Sequence, residues 1–117
     1  MKQEDKELLL KDLCSRLPYG VKGNYQNSDD ELLRKITITY RYLEPNGMVM
    51  TGDIKPYLFP LSNMTEEQYR EFLSTCNGYC DYYWTEETFD WLNKNHFDYR
   101  GLIEKGLAID ATGLNIY

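Results

Sequence analysis

Three cysteines and the single histidine are the residues whose chemistry is easiest to name. Cys76 and Cys80 are separated by three residues, and with Cys14 and His96 they could supply three thiolates and one imidazole to a structural zinc ion. However, structural zinc usually takes its ligands from two closely spaced pairs, and Cys14 and Cys76 fall on apolar helix faces, where free cysteine packs as a small hydrophobic residue. We therefore predict no metal and no cofactor, and reduced thiols in a cytoplasmic protein.

His96 could act alone as a general base at neutral pH, with Asp98 or Tyr99 beside it. The alternative is a structural histidine near a helix C-terminus, where it bonds to carbonyl groups and complements the helix dipole. The chain has no nucleophile motif and no glycine-rich phosphate loop, and its paired carboxylates fall mostly at helix starts or in polar loops. The sequence therefore predicts a protein that is not an enzyme.

The segment 79–84 has four aromatic residues in six positions, in a loop predicted between two helices. Tyrosine and tryptophan combine an apolar ring with a polar end, and both are enriched at protein interfaces. They could also stack on a nucleic-acid base. The alternative is that two of them cover the core and the others lie on the surface without a binding role. The candidate binding residues here are Tyr79, Tyr82, Tyr83 and Trp84.

A second set of residues could bind a small molecule or a nucleotide. Basic side chains would meet a phosphate group, and aromatic rings would stack on the base. This function requires the basic and aromatic side chains to converge in one pocket. The candidates are Lys22, Lys55 and Arg100 for the phosphate, and Tyr19, Tyr57 and Trp84 for the base.

The first half of the chain predicts one helix followed by strands. Leucines recur at helical spacing over 3–16, with Cys14 on the apolar face and Asp12 on the polar face. A short strand is predicted over 21–25 and a polar loop over 26–31. Alternation over 34–43 predicts a strand, the Asn46-Gly47 pair predicts a tight hairpin turn, and 48–54 would be the return strand.

The second half predicts mainly helices. Prolines on both sides of 57–59 predict an edge or crossing segment. Thr65 and Gln68 form a capping box, and Thr85 caps a further helix whose inner face would include Phe89 and Leu92. A short helical turn is predicted over 98–105, and the last residues could add a strand through 107–109.

The charge and length exclude several classes of protein. With 117 residues and a net charge of −6, the chain is of single-domain length and too acidic for a wide nucleic-acid-binding surface. Residues 66–98 contain eight acids and two bases, whereas 32–60 contain four bases and two acids. No apolar run is long enough for a membrane span, and the charged start of the chain does not resemble a secretory signal.

Three groups of short strings extend over most of the chain. They are RLPYGV at 16–21, IKPYLFPLS at 54–62 followed by MTEE at 64–67, and WLN at 91–93 followed by HFDYRGLI at 96–103 and GLA at 106–108. Together they resemble a family of small uncharacterised proteins encoded by gut Bacteroidales phages, prophages and other mobile elements. The resemblance implies a phage-related protein in the cytoplasm of a bacterial host, and it implies no particular activity.

These observations predict one α+β domain over 1–117, with a small antiparallel sheet and a central β-hairpin packed against three to four helices. The expected function is that of a non-catalytic accessory protein that binds a host or phage protein or associates with itself. The alternative is a small-molecule or nucleotide binder that sequesters a host defence signal. Neither hypothesis involves a membrane.

Overall fold

The computed structural model describes residues 1–26 and 29–117 and has an α+β fold, as predicted. The three α-helices within these residues are α1 (Gln3–Arg16), α2 (Glu66–Ser74) and α3 (Glu86–Lys94). The strands are β1 (Lys22–Tyr25), β2 (Ile36–Thr37), β3 (Ile54–Pro60), β4 (Phe97–Asp98) and β5 (Ile109–Asp110). Short 3-10 helices cover Leu17–Tyr19, Glu31–Leu33, Tyr40–Leu43 and Leu61–Asn63. The predicted loop over 26–31 includes residues 27 and 28, which lie outside the described residues.

The sheet is mixed, so the prediction of an antiparallel sheet is wrong. Its strand order is β2-β1-β3-β4, and β5 also pairs with β3. β1 is antiparallel to both β2 and β3, whereas β4 and β5 run parallel to β3. The parallel pairing of β4 follows from the chain path, because α2 and α3 lie between β3 and β4 and form a crossover connection.

The predicted central hairpin is absent. The predicted strand 34–43 is reduced to β2, and the chain then continues as a 3-10 helix and turns until β3 begins at Ile54. The last bond that extends the β1–β2 ladder runs from the Ile38 N–H to the Val21 carbonyl. Gly20 adopts the left-handed region at φ 69°, so the chain before Val21 turns away from the direction of β1 and does not extend the ladder. Beyond Ile38 the alternating segment therefore has no strand to pair with.

β3 is the central strand, although its two prolines predict an edge or crossing segment. Its partners change along its length: β1 pairs over Ile54–Pro56, β5 at Tyr57 and Leu58, and β4 at Phe59 and Pro60. Each proline is the last β3 residue of a ladder, where a missing N–H interrupts no continuing series of hydrogen bonds. Short ladders thus allow a proline-bounded segment to occupy the middle of the sheet.

The predictions from the sequence are more accurate for the helices than for the strands. α1 has the predicted bounds, and both α2 and α3 begin at a threonine capping box. For two side chains of α1, however, the predicted burial is wrong: Asp12 is buried and Cys14 is exposed. Phe89 of α3 is also exposed. The predicted helical turn over 98–105 is a series of turns, and its first N–H groups donate to the Asp98 carboxylate instead.

Within the residues that the structure describes, two hydrophobic clusters form the core. The larger cluster is aliphatic and joins α1 to the sheet and to the segment around Leu102. The smaller cluster is rich in aromatic residues and lies between α2, α3 and β4, with Phe72, Leu92 and Phe97 at its centre. The loop that contains the candidate tyrosines connects the two helices of this smaller cluster.

Candidate functional site

A loop of eight residues, 77–84, connects the end of α2 to the threonine that caps α3; we call it the tyrosine loop. Asn77 and Gly78 adopt the left-handed region at φ 51° and 83°, which turns the chain away from the helix axis. The Gly78 N–H donates to the Leu73 carbonyl and closes the helix end. A disulfide joins Cys76, at the end of α2, to Cys80 within the loop.

Three tyrosines of the loop are exposed to solvent. The exposed fractions are 56% for Tyr79, 84% for Tyr82 and 50% for Tyr83. The rings of Tyr79 and Tyr83 are stacked with centroids 6.2 Å apart, and Tyr82 lies 6.5 Å from Tyr79. Backbone N–H groups of Tyr82 and Tyr83 both donate to the Tyr79 carbonyl, so the three rings are grouped by one turn.

Trp84 anchors the loop to the protein interior. Its indole N–H donates to the Cys80 carbonyl at 3.0 Å, and its ring packs edge-on against Phe72, Phe89 and Tyr99. The disulfide fixes the loop at its start and Trp84 fixes it at its end. The exposed tyrosines are thus held between two fixed points, which lowers the conformational entropy that a bound partner would have to remove.

The surroundings of the tyrosine loop are acidic. Asp81 lies within the loop, and Glu86 and Glu87 begin α3; all three are exposed. The stretch 66–98 carries a net charge of −6, which equals the formal charge of the whole chain. An exposed ion pair between Arg70 and Glu66 uses one of its two basic residues. The tyrosines therefore lie in a negatively charged region.

The other residues predicted to bind are not brought into one site. Tyr57 is buried on β3, and its hydroxyl accepts a hydrogen bond from the Asn24 amide at 2.9 Å. It lines a cavity of about 780 Å³, whereas Arg100 lines a different cavity of about 430 Å³. Lys55 lies opposite Asn24 on β3, and Tyr19 is part of the first 3-10 helix.

Arg100 belongs to a buried ion cluster that the sequence analysis did not identify; we call Asp12, Arg16, Tyr99 and Arg100 the arginine cluster. Arg16 and Asp12 are fully buried and paired at 2.8 Å. Arg16 also donates to the Phe97 carbonyl at 2.6 Å, and Arg100 donates to Asp12 at 3.1 Å. Both guanidinium groups lie about 5 Å from the Tyr99 ring centroid, at 5.1 and 4.9 Å. The i,i+4 spacing of Asp12 and Arg16 was the available sequence signal.

His96 follows α3 with φ 63°, and its ring stacks on the ring of Tyr117 with centroids 3.6 Å apart. Burial, together with the positive charges of Arg16 and Lys22, lowers the pKa of His96 from 6.5 to about 4. The imidazole is therefore neutral at pH 7 and does not complement a helix dipole. The carboxylate of Asp98 accepts backbone N–H groups, and the Tyr99 hydroxyl donates to Asn93, so these two groups bond elsewhere.

Tyr117 lies beside His96 and bonds to the backbone of two strands, β1 and β3. Its hydroxyl donates to the Tyr57 carbonyl at 2.8 Å and accepts from the Lys22 N–H at 2.9 Å. Burial raises the pKa of Tyr117 to about 12, because a phenolate would lose its hydration there.

The cysteines do not form the zinc site that their number could suggest. Cys76 and Cys80 are bonded to each other, and the expectation that these two thiols are reduced is wrong for this structure. Cys14 is exposed on α1. Among residues 1–26 and 29–117, no group of three or more histidine, cysteine and acidic side chains could hold a metal ion.

Searches against protein-family models, curated proteins and solved structures found no significant match. Within the described part of the chain, no helix is long and apolar enough to cross a membrane.

Proposed function

We propose that the protein is a non-catalytic, phage-related accessory protein that acts by binding another protein through the tyrosine loop. The observation that carries this proposal is the exposure of Tyr79, Tyr82 and Tyr83 as one group of rings. Large aromatic side chains on the surface lose little conformational entropy on binding and are enriched among the residues that contribute most to affinity. The loop is also fixed at both ends, which favours binding without rearrangement.

The charge around the loop indicates the chemistry of the partner. Asp81, Glu86 and Glu87 would lie at the rim of an interface centred on the tyrosines. A symmetric dimer through this surface would bring the same carboxylates of two copies together, which is unfavourable. A different protein with a basic, arginine-bearing surface would meet both the carboxylates and the tyrosine rings favourably. We therefore propose a basic partner rather than a second copy.

Site-specific photo-crosslinking in a Bacteroidales host tests this function. Tyr82 is replaced by the photoreactive residue p-benzoylphenylalanine, because it is the most exposed of the three tyrosines. The matched control carries the same residue at Tyr40, a 66% exposed tyrosine in a 3-10 helix outside the acidic stretch. We expect a discrete covalent adduct from position 82 and none of the same mass from position 40.

Competition then distinguishes specific binding from contact by chance. Excess wild-type protein should abolish the adduct, whereas excess protein with all three tyrosines replaced by alanine should not. An adduct of twice the protein's own mass would contradict the proposal of a different partner and indicate self-association. Equal adducts from both positions, or none, would refute binding through the tyrosine loop.

A further inference from the structure

The cavity of about 780 Å³ is distinct from the tyrosine loop and has a different chemical character. One wall is formed by 31–35, the inner side by Asn24 and Tyr57, and the other wall by the C-terminal residues Leu114 and Ile116. The Lys35 ammonium donates to the Asn115 carbonyl at 3.2 Å and so joins the two walls. The volume is within the range of about 300–1,000 Å³ that is usual for small-molecule sites.

Hydrogen-bond donors predominate in this cavity. Arg34 forms no ion pair with Glu31 or with any other carboxylate in residues 1–26 and 29–117. The Tyr57 hydroxyl accepts from Asn24 and donates no hydrogen bond within that part of the chain. Lys35 uses one of its three N–H groups. The guanidinium, the ammonium and the hydroxyl can therefore all donate to a ligand.

The acceptors and the apolar residues of the cavity restrict the ligand further. Glu31 is its one acidic lining residue in the described chain, so the lining has a net charge of +1. Leu32, Leu114 and Ile116 contribute apolar surface, and Leu32 and Leu114 are exposed to solvent. A ligand with an oxyanion at one end and an apolar body would satisfy the donors and cover the leucines. Arg34 suits such a group because a guanidinium binds carboxylate or phosphate through two parallel hydrogen bonds.

We infer that this cavity, formed by Arg34, Lys35, Asn24 and Tyr57 between the walls at 31–35 and 114–116, binds a small molecule that carries an oxyanion on an apolar body. This site differs from the small-molecule site expected from the sequence, because it uses Arg34 and Lys35 rather than Lys55 and Arg100. Tyr57 contributes its hydroxyl and not a stacking face. The inference is independent of protein binding through the tyrosine loop.

An NMR titration of the ¹⁵N-labelled protein tests the inference. The probes are phenyl phosphate and benzoate, which both combine an oxyanion with an aromatic body, and benzyl alcohol, which has the body alone. We expect phenyl phosphate, benzoate or both to shift the backbone amides of Asn24, Lys35, Tyr57 and Ile116 in a saturable manner. Which probe binds more tightly would distinguish a phosphate ligand from a carboxylate ligand.

A pair of arginine variants provides the control. Arg34→Gln should weaken binding at least about tenfold, because it removes the charged donor pair. Arg41→Gln changes another exposed arginine that does not line the cavity, and it should bind like the wild type. Benzyl alcohol binding as tightly as the anions would overturn the oxyanion assignment. Absence of saturable shifts with both anions, or equal weakening in both variants, would overturn the site.

Discussion

The tyrosines of the tyrosine loop and those near the C-terminus carry the same groups but bond in opposite ways. Tyr99 and Tyr117 donate their hydroxyl protons to Asn93 and to the Tyr57 carbonyl, and both rings pack on charged or aromatic neighbours. The hydroxyls of Tyr79, Tyr82 and Tyr83 have no partner in the described part of the chain. The first group stabilises the fold, and the second retains its bonding capacity for another molecule.

The arginine cluster provides the largest expected effect in this comparison. Asp12→Ala would leave Arg16 buried without its carboxylate, and we expect the free energy of unfolding to fall by about 3–5 kcal/mol. Chemical denaturation measures this loss. The double variant Asp12→Ala/Arg16→Met should be more stable than the single variant, because it removes the buried charge as well.

The ion pair between Glu66 and Arg70 is the matched control, since it has the same i,i+4 spacing but is exposed. Glu66→Ala should leave the free energy of unfolding nearly unchanged. Similar losses for Asp12→Ala and Glu66→Ala would mean that burial does not distinguish the two pairs. Tyr99, which packs against the two guanidinium groups of the arginine cluster, would then not lie in a region that is especially sensitive to the loss of a buried charge.

A smaller effect is expected from the titration of His96. Its pKa is 6.5 in the unfolded chain and about 4 in the folded protein, so the unfolded chain takes up the proton first as the pH falls. The stabilising contribution of neutral His96 is thus complete above pH 6.5 and is lost progressively as the pH falls to about 4. The loss should be about 1–3 kcal/mol.

His96→Asn removes this titration while keeping a residue type that tolerates the left-handed backbone. Unfolding free energies of both proteins between pH 7 and pH 4 give the contribution by difference, since the carboxylates are common to the two. If both proteins lose the same free energy over this range, then His96 does not resist protonation in the fold.

Tyr117→Phe should have a more modest effect, because it removes the hydroxyl and leaves the ring stacked on His96. The Lys22 N–H and the Tyr57 carbonyl each lose a partner, and the expected cost is about 1 kcal/mol in unfolding free energy. Tyr40→Phe removes an exposed hydroxyl and should cost nothing measurable. Equal stability of the two variants would show that the bridging hydroxyl does not contribute to the fold.

The smallest effect on stability belongs to the tyrosine loop. Replacing Tyr79, Tyr82 and Tyr83 together by alanine should change the unfolding free energy by less than about 1 kcal/mol, because exposed substitutions usually cost little. The same variant should fail to compete for the partner that crosslinks to position 82. A loss comparable with that of Asp12→Ala would assign the three tyrosines to the fold rather than to binding.

Local interactions were predictable from the sequence, and distant ones were not. The bounds of α1 and the capping box at Thr65 depend on residues within one or two helical turns. The hairpin around Asn46-Gly47 depends on pairing between 34–43 and 48–54, and these segments form a short strand, a 3-10 helix and turns instead. Asp12 was assigned to the polar face because a carboxylate is usually exposed, and one of the two arginines that bond to it in the interior, Arg100, lies 88 positions later in the chain.

The candidate site was predictable in composition but not in geometry. Four neighbouring aromatic residues marked the loop, yet only the structure separates the anchored Trp84 from the three exposed tyrosines. Arg34 and Lys35 gave no signal as binding residues, because they fall in an alternating segment that resembles an ordinary strand. Their position in a cavity depends on the C-terminal residues that form its other wall.

The bond from Arg16 to the Phe97 carbonyl has a consequence for synthesis, since its two residues are 81 positions apart. A ribosome that adds about 5–20 residues per second takes roughly 4–16 s to cover that distance. During this time α1 has been made, but the carbonyl that accepts a hydrogen bond from its buried guanidinium has not. The nascent protein therefore completes its fold only after most of its length has been translated, and until then Leu9 and Leu13 of α1 lack the later residues of their core cluster.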